Sequence, residues 1–353
     1  MKRMLSFFVR RLGAALFTLV TMITLTFVLF WLIPSEPASF VYPTAQHLTD
    51  YQLEHAHHLL GTDRPLVEQY GEYLWHLLRF DFGSQWGGAQ LFENSKLTEV
   101  AIGPQLASAV PATLSIILGG ALLVVLLAVP LGAISGRRIG SIGDRAIVLV
   151  ALIGICTHPM VVGLILRTIF GNQLHWVAPG GYCQLTPDAN APCSGPVDWA
   201  SHLVLPWITF ALLFLALYTR MIRASVADTM HADYIRTARA KGAGETRVMT
   251  RHVLPNAGLR VLTMVGMEIG TAIGVCIYIE AAFGISGLGS MAVTALFGTV
   301  ALDLPLILAV VVVITTIVVI GNLAVDLLYA LIDPRADDAL RDKETKSLAG
   351  GVI

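Results

Sequence analysis

Charge is scarce in this chain. Of its 353 residues 13% are Asp, Glu, Lys or Arg, against 55% hydrophobic, and the mean hydropathy is +0.71. A water-soluble globular chain carries roughly 25% charged residues, so a soluble fold is excluded, and no nucleic-acid partner is expected. Also missing is any G-x-x-x-x-G-K-[ST] run, the loop that cradles nucleotide phosphates. No His follows His252. That removes an intramembrane serine protease, because Ser286 in the run "GISG" would need a His on a later helix to activate it. Cysteine is scarce too, with four in all.

What the chain does have is long apolar runs. A membrane-crossing helix takes about 20 apolar residues at a rise of roughly 1.5 Å each. Leu12–Ile33, Val100–Gly136, Ala146–Leu166, Ala200–Thr219 and Leu304–Val325 carry no charge, and Val261–Ile279 only Glu268. Backbone polar groups in hydrocarbon must be satisfied within the segment, so these windows predict an all-α polytopic membrane protein of about six helices. Lys2, Arg3, Arg10 and Arg11 precede the first window as in a signal peptide. Its apolar stretch is too long for one, and no A-x-A site follows at "IPSEPASF", so an uncleaved helix is expected.

The few charges are segregated. With six spans, 19 of the 23 basic residues fall on the side of the N terminus; only Arg64, Arg79, Lys96 and Arg167 fall opposite. Positive residues accumulate in cytoplasmic loops, so both termini and the loop after the fourth span are expected inside. The organisation that follows is residues 1–34 as tail and first span, 35–105 as an extracytoplasmic segment, 106–333 as the core of spans two to six, and 334–353 as a cytoplasmic tail. Within the core lie an outside loop, 171–200, and an inside loop, 233–257. The outside segment predicts two amphipathic helices, from Thr49 to Leu60 and in "RPLVEQYGEYLWHLLRF", with Trp75 and Trp86 suited to a membrane–water interface. Its His47, His55, His57 and His58 come without a second ligand set and read as a polar face rather than a metal site. Pro130 and Pro159, inside spans, are expected to kink them.

Cys156 and Cys276 fall within spans, where a thiol packs as a small apolar group. Cys183 and Cys193 flank "QLTPDANAP" in the outside loop, where thiols oxidise; a disulfide there is expected to contribute on the order of 2–3 kcal/mol. Polar groups inside spans are costly and normally face a path or a partner. His158, Glu268 and Glu280 are therefore the candidates for a substrate path, while Asp326, near the end of the last span, reads as structural.

The inside loop is "DYIRTARAKGAGETRVMTRHVLPNA". Asp233 to Ala240 should form a short helix with small Ala238 and Ala240, stopped by a left-handed Gly242. A second helix should place Arg247 and Arg251 on one face and end at Pro255. A basic loop resting on anionic lipid needs the charge but not this helix–Gly–helix–Pro order.

That order resembles the coupling loop of ABC-transporter importer permeases. "GTDRPLVEQYGEYLWHLLRFDFGSQW", "VPATLSI", "YIEAAFGISGLGSMAVTA" and "DLLYALIDPR" are similar, in order along nearly the whole chain, to the dipeptide and oligopeptide permease family. The departures are "CTHPMVVGLIL" and the Cys-bearing loop. The resemblance implies a permease subunit in the cell membrane, paired with a second permease, two cytoplasmic ATPases that hold the ATP and Mg, and an extracytoplasmic peptide-binding protein. The ATPases would dock on Asp233, Arg236, Ala238, Ala240, Gly242, Arg247, Arg251, Leu254 and Pro255. Peptides are the implied cargo; the same branch also contains nickel and glutathione permeases. A secondary transporter is the rival class, although no inverted repeat is evident.

Overall fold

The structure, a computed structural model, describes residues 2–32, 49–60, 63–85, 100–186, 193–297 and 303–332. His47, Trp86, residues 187–192 and the tail at 334–353 lie outside the described residues.

The described chain is almost entirely helical. Helix α1 (Lys2–Leu32) is followed by α2 (Asp50–Leu60) and α3 (Leu66–Leu78), the two helices expected from the amphipathic runs. A two-residue ribbon pairs β1 (Ser84–Gln85) antiparallel with β2 (Val100–Ala101). Then come α4 (Ile102–Arg137), α5 (Ile142–Cys156), α6 (Pro159–Leu166) running into a π-turn at Arg167–Gln173, and α7 (Pro196–Met230). Short helices α8 (Asp233–Ala240) and α9 (Glu245–Val248) precede a second π-turn, Met249–Val253. The remaining helices are α10 (Leu254–Phe283), α11 (Leu288–Phe297) and α12 (Leu304–Ile332).

Among the described residues, α1, α4, α7 and α12 are each long and apolar enough to cross a membrane. The Glu268–Phe283 part of α10 and α11 meet the same test together, bent by 81°. The third apolar window is divided: α5 stops at Cys156 and α6 opens at Pro159. Proline disfavours helical backbone in the residue before it, and its own missing N–H is tolerated in a first turn. By contrast α4 stays helical through Pro130.

The chain divides into two compact units, one formed by residues 1–118, 160–206 and 273–319, the other by 119–159, 207–272 and 320–353. In the first, Ile102, Leu106 and Ala109 of α4 pack with Leu288 and Ala295 of α11 and with Leu306, Ile307 and Val310 of α12. In the second, α4 and α7 approach through small residues. A Cβ on Gly120 would meet the Phe210 ring, one on Gly132 the Ile222 side chain and one on Gly136 the Val226 side chain. Each contact pairs a residue with one 90 further on, so the two helices run parallel. Val124 and Ala128 fill the same every-fourth-residue stripe and are buried. On the opposite side of α4, Leu122, Val125 and Leu126 are exposed. Small residues within and leucines outside is the packing of helices that lie in lipid, where backbones gain from close approach.

Candidate functional site

The loop at 233–257 folds into a two-armed knob. Helix α8 ends at Lys241, and Gly242 follows at φ +82°. The Gly242 N–H donates to the Arg239 carbonyl (2.9 Å) and the Ala243 N–H to the Ala238 carbonyl (3.1 Å). This pair of bonds, with a left-handed residue between, is a Schellman stop, the conformation glycine adopts without steric cost. After Gly244 the second arm begins, and Ile235, Val248, Val253 and Ala257 turn inward and are buried. Asp233, Arg236, Ala240, Gly242, Arg247 and Arg251 are exposed; Ala238 is half-buried.

Arg239 locks the two arms together. Its guanidinium gives Glu245 hydrogen bonds of 2.8 and 3.4 Å, and Arg137 at the end of α4 stands 3.9 Å from the same carboxylate. The Arg239 hydrogen bonds hold the Glu245 carboxyl below its usual pKa. Between Tyr234 and Asn256 a further bond of 3.0 Å closes the knob across its base.

Pro255 does not end the second arm, contrary to expectation. Helical backbone continues from Glu245 through the π-turn into α10. The Leu254 N–H bonds to the Met249 carbonyl, five residues back. Pro255, which has no N–H, thus falls where the ladder changes register and lacks no bond it could have made. Leu254 is half-buried and Pro255 exposed at that junction.

Behind the knob a carboxylate joins three helices. Asp144, in the first turn of α5, receives Arg223 of α7 on both oxygens (2.5 and 2.8 Å) and the Ser135 hydroxyl of α4 on one. The Gly140 N–H donates to it at 2.8 Å, while Ser141 caps the Asp144 N–H at 3.2 Å. The Arg223 hydrogen bonds, then the Ser135 bond, hold Asp144 well below the usual carboxylate range. Sequence reasoning passes over this clamp and the Arg239–Glu245 lock. One signal does exist: Ser141-x-x-Asp144 ahead of an apolar run is capping-box spacing.

The three candidates for a path separate. Glu268 is half-buried on α10, with the Tyr218 hydroxyl in its electrostatic field. His158 is exposed at the break between α5 and α6. Glu280 is fully buried, taking the Thr113 hydroxyl at 2.6 Å and the Ser290 N–H at 2.8 Å. Thr113 in turn accepts the Leu288 N–H at 2.9 Å. The carboxylate lies at the start of α11, where free N–H groups and the helix dipole favour negative charge. A Cβ on Gly287 would collide with this carboxylate, so the bend depends on that glycine. In the chain between the first π-turn and α7, a disulfide joins Cys183 and Cys193, with Cα atoms 5.5 Å apart, and His202 lies 3.3 Å from the Cys183 sulfur.

A bundle with parallel, glycine-packed membrane helices and a projecting helix–Gly–helix knob defines a class of membrane transport component. The chain belongs to the family of binding-protein-dependent transport system inner membrane components, whose pattern matches residues 128–338; the family's N-terminal region matches residues 4–117. Among its relatives is the di/tripeptide transport system permease protein DppB of Pseudomonas aeruginosa. That protein is 31% identical over 347 residues, covering 94% of this chain and 98% of the relative. The oligopeptide transport system permease protein AppB of Bacillus subtilis is 30% identical over 334 residues, covering 95% of this chain and all of the relative. The fold is similar to that in inward-facing structures of the MetNI methionine ABC transporter, with a TM-score of 0.51 at 16% identity over 65% of this chain and 96% of that one. The chain is a multi-pass protein of the inner membrane.

Proposed function

We propose that this chain is one permease subunit of an ATP-driven importer for peptides, forming the translocation path with a second permease. The observation that carries the reading is the knob at 233–257. Its Schellman stop and Arg239–Glu245 lock give a rigid projection, and its exposed face offers Arg236, Arg247 and Arg251 to a partner. Exposed guanidinium forks beside small Ala240 and Gly242 suit a groove on another protein better than a fluid lipid surface. In this reading the knob is cytoplasmic and receives two ATPase subunits, which hold ATP and Mg. An extracytoplasmic binding protein delivers the cargo to the other face, and Glu268 lines the path. The peptide cargo follows from the names of DppB and AppB, relatives matched end to end.

The test is transport by the assembled complex in proteoliposomes with the binding protein outside. Uptake of labelled di- and oligopeptides should require ATP within and stop when it is consumed. Uptake that continues on a proton gradient without ATP would overturn the proposal and favour a secondary transporter.

A further inference from the structure

Helix α3 carries more apolar surface than its neighbour covers. Leu66, Tyr70, Tyr73 and Leu77 recur at helical spacing and form one stripe. The Tyr70 hydroxyl meets Thr24 Oγ1 of α1 at 2.6 Å, and the Phe27 ring lies 5.2 Å from Tyr70 and 5.7 Å from Tyr73. A second stripe, Val67, Gly71, Trp75 and Leu78, is turned about 100° from the first. It is bare: Val67 is 81% exposed, Trp75 55% and Leu78 76%, and Phe80 just beyond is 84% exposed. The remaining side of α3 is polar, with Glu68, Glu72 and His76. Arg64 reaches Glu72 at 2.7 Å and Asp81 reaches His76 at 2.9 Å.

The contact with α1 sets the depth of this helix. α1 qualifies as a span over at least Val9–Leu29, and its charge-free run begins after Arg11 and continues in sequence to Ile33. Counted from Arg11 at about 1.5 Å per residue, Thr24 lies about 20 Å and Phe27 about 24 Å along a hydrocarbon core about 30 Å thick. Tyr70 and Tyr73 are therefore held within about 10 Å of the far boundary of the hydrocarbon. There a helix with one flank on α1 and a polar side toward water must turn its third sector to the bilayer. α1 itself presents exposed Val20, Leu25, Val28 and Leu29 alongside, so the bare stripe continues an exposed apolar surface of a membrane helix.

We propose that α3 lies in the membrane interface, with Val67, Trp75, Leu78 and Phe80 in contact with phospholipid. Trp75 stands on the border between apolar and polar sectors, the position an indole prefers at a bilayer surface. The Arg79 guanidinium sits 4.4 Å from the centre of the Trp75 ring, which places a cation at headgroup level beside lipid phosphates. The inference rests on α1 crossing the membrane, as the family assignment requires.

Nitroxide labels on single cysteines test it, with the whole complex in nanodiscs of phosphatidylethanolamine and phosphatidylglycerol. Val67→Cys, Trp75→Cys and Leu78→Cys should be several-fold more accessible to oxygen than to a water-soluble nickel chelate, and Glu68→Cys and Glu72→Cys the reverse. Equal chelate access at positions 67, 72 and 78 would overturn the proposal. Shielding of 67, 75 and 78 from both reagents would overturn it in favour of a protein partner. Val20→Cys and Leu25→Cys on α1 separate the premise from the proposal: chelate access there would remove the span itself, whereas oxygen access there with water at 67 would remove only the interfacial helix.

Discussion

Arg223 makes two of the hydrogen bonds that Asp144 accepts, and the side chains are unequally exposed, 26% for Arg223 and 3% for Asp144. Asp144→Asn would leave a half-desolvated cation facing an amide. Removing one partner of a fully buried pair costs roughly 3–5 kcal/mol; with Arg223 partly in solvent, the loss should lie at or below the lower end. Its folded-state pKa is depressed, so the stabilisation is fully present above the ordinary Asp value of about 3.9. It is lost as pH falls below that value toward the folded pKa. Thermal unfolding of the purified protein should show a lower midpoint for Asp144→Asn across pH 5–8, at a gap that does not vary with pH. The gap should shrink only below about pH 4. A gap that closed between pH 8 and 6 would mean that another group, not Asp144, holds the clamp.

Among elements, the knob invites the sharpest substitution. Gly242 has open space where a Cβ would point, so Gly242→Val meets no neighbour; its cost comes from φ +82°. A side chain in the left-handed region costs roughly 1–2 kcal/mol, enough to undo a stop in a loop without unfolding the bundle. The variant should insert and assemble with its partner permease. ATPase content after pull-down, or the peptide transported per ATP hydrolysed, should fall severalfold. Ordinary uptake by Gly242→Val with ATPases bound would remove this loop from the coupling route.

Much of this element is legible in the residues alone, because Gly and Ala at fixed offsets from a basic run leave few backbone choices. Pro255 misleads because proline reads as a terminator. The π-turn that absorbs its missing donor is set by helix register, which residue identity does not announce. Glu280 shows a related limit. A carboxylate in an apolar window gives no sign that Thr113, 167 positions away, packs against it. The Asp144–Arg223 clamp joins residues 79 apart, and spacing alone cannot bring them together.

For the molecule as a whole, the parallel course of α4 and α7 bears on the number of crossings. Two membrane helices that run the same way must be joined by chain that travels back. If the segment α5–α6 crosses back despite its break at Thr157–His158, six crossings follow and both termini share one side. Ile139→Cys, exposed beyond the end of α4, should resist an impermeant maleimide in intact cells and react once they are opened. Glu68→Cys should react in both. Of the native thiols Cys276 is buried and Cys183 and Cys193 are joined, so the labelling is done with Cys156 replaced by Ala. Labelling of Ile139→Cys in intact cells would invert the whole arrangement.

The unbroken backbone from Glu245 into α10 has a mechanical consequence. A loop with a proline hinge would absorb a displacement in its own bending. A continuous hydrogen-bonded rod would pass it on, so a partner docked as proposed that pushed on Thr246 or Arg247 would also push on Ala272. The one place with slack is the turn at Met249–Val253, whose wider winding holds a spare residue. Under such a load the turn would yield by unwinding, where a hinge would yield by folding.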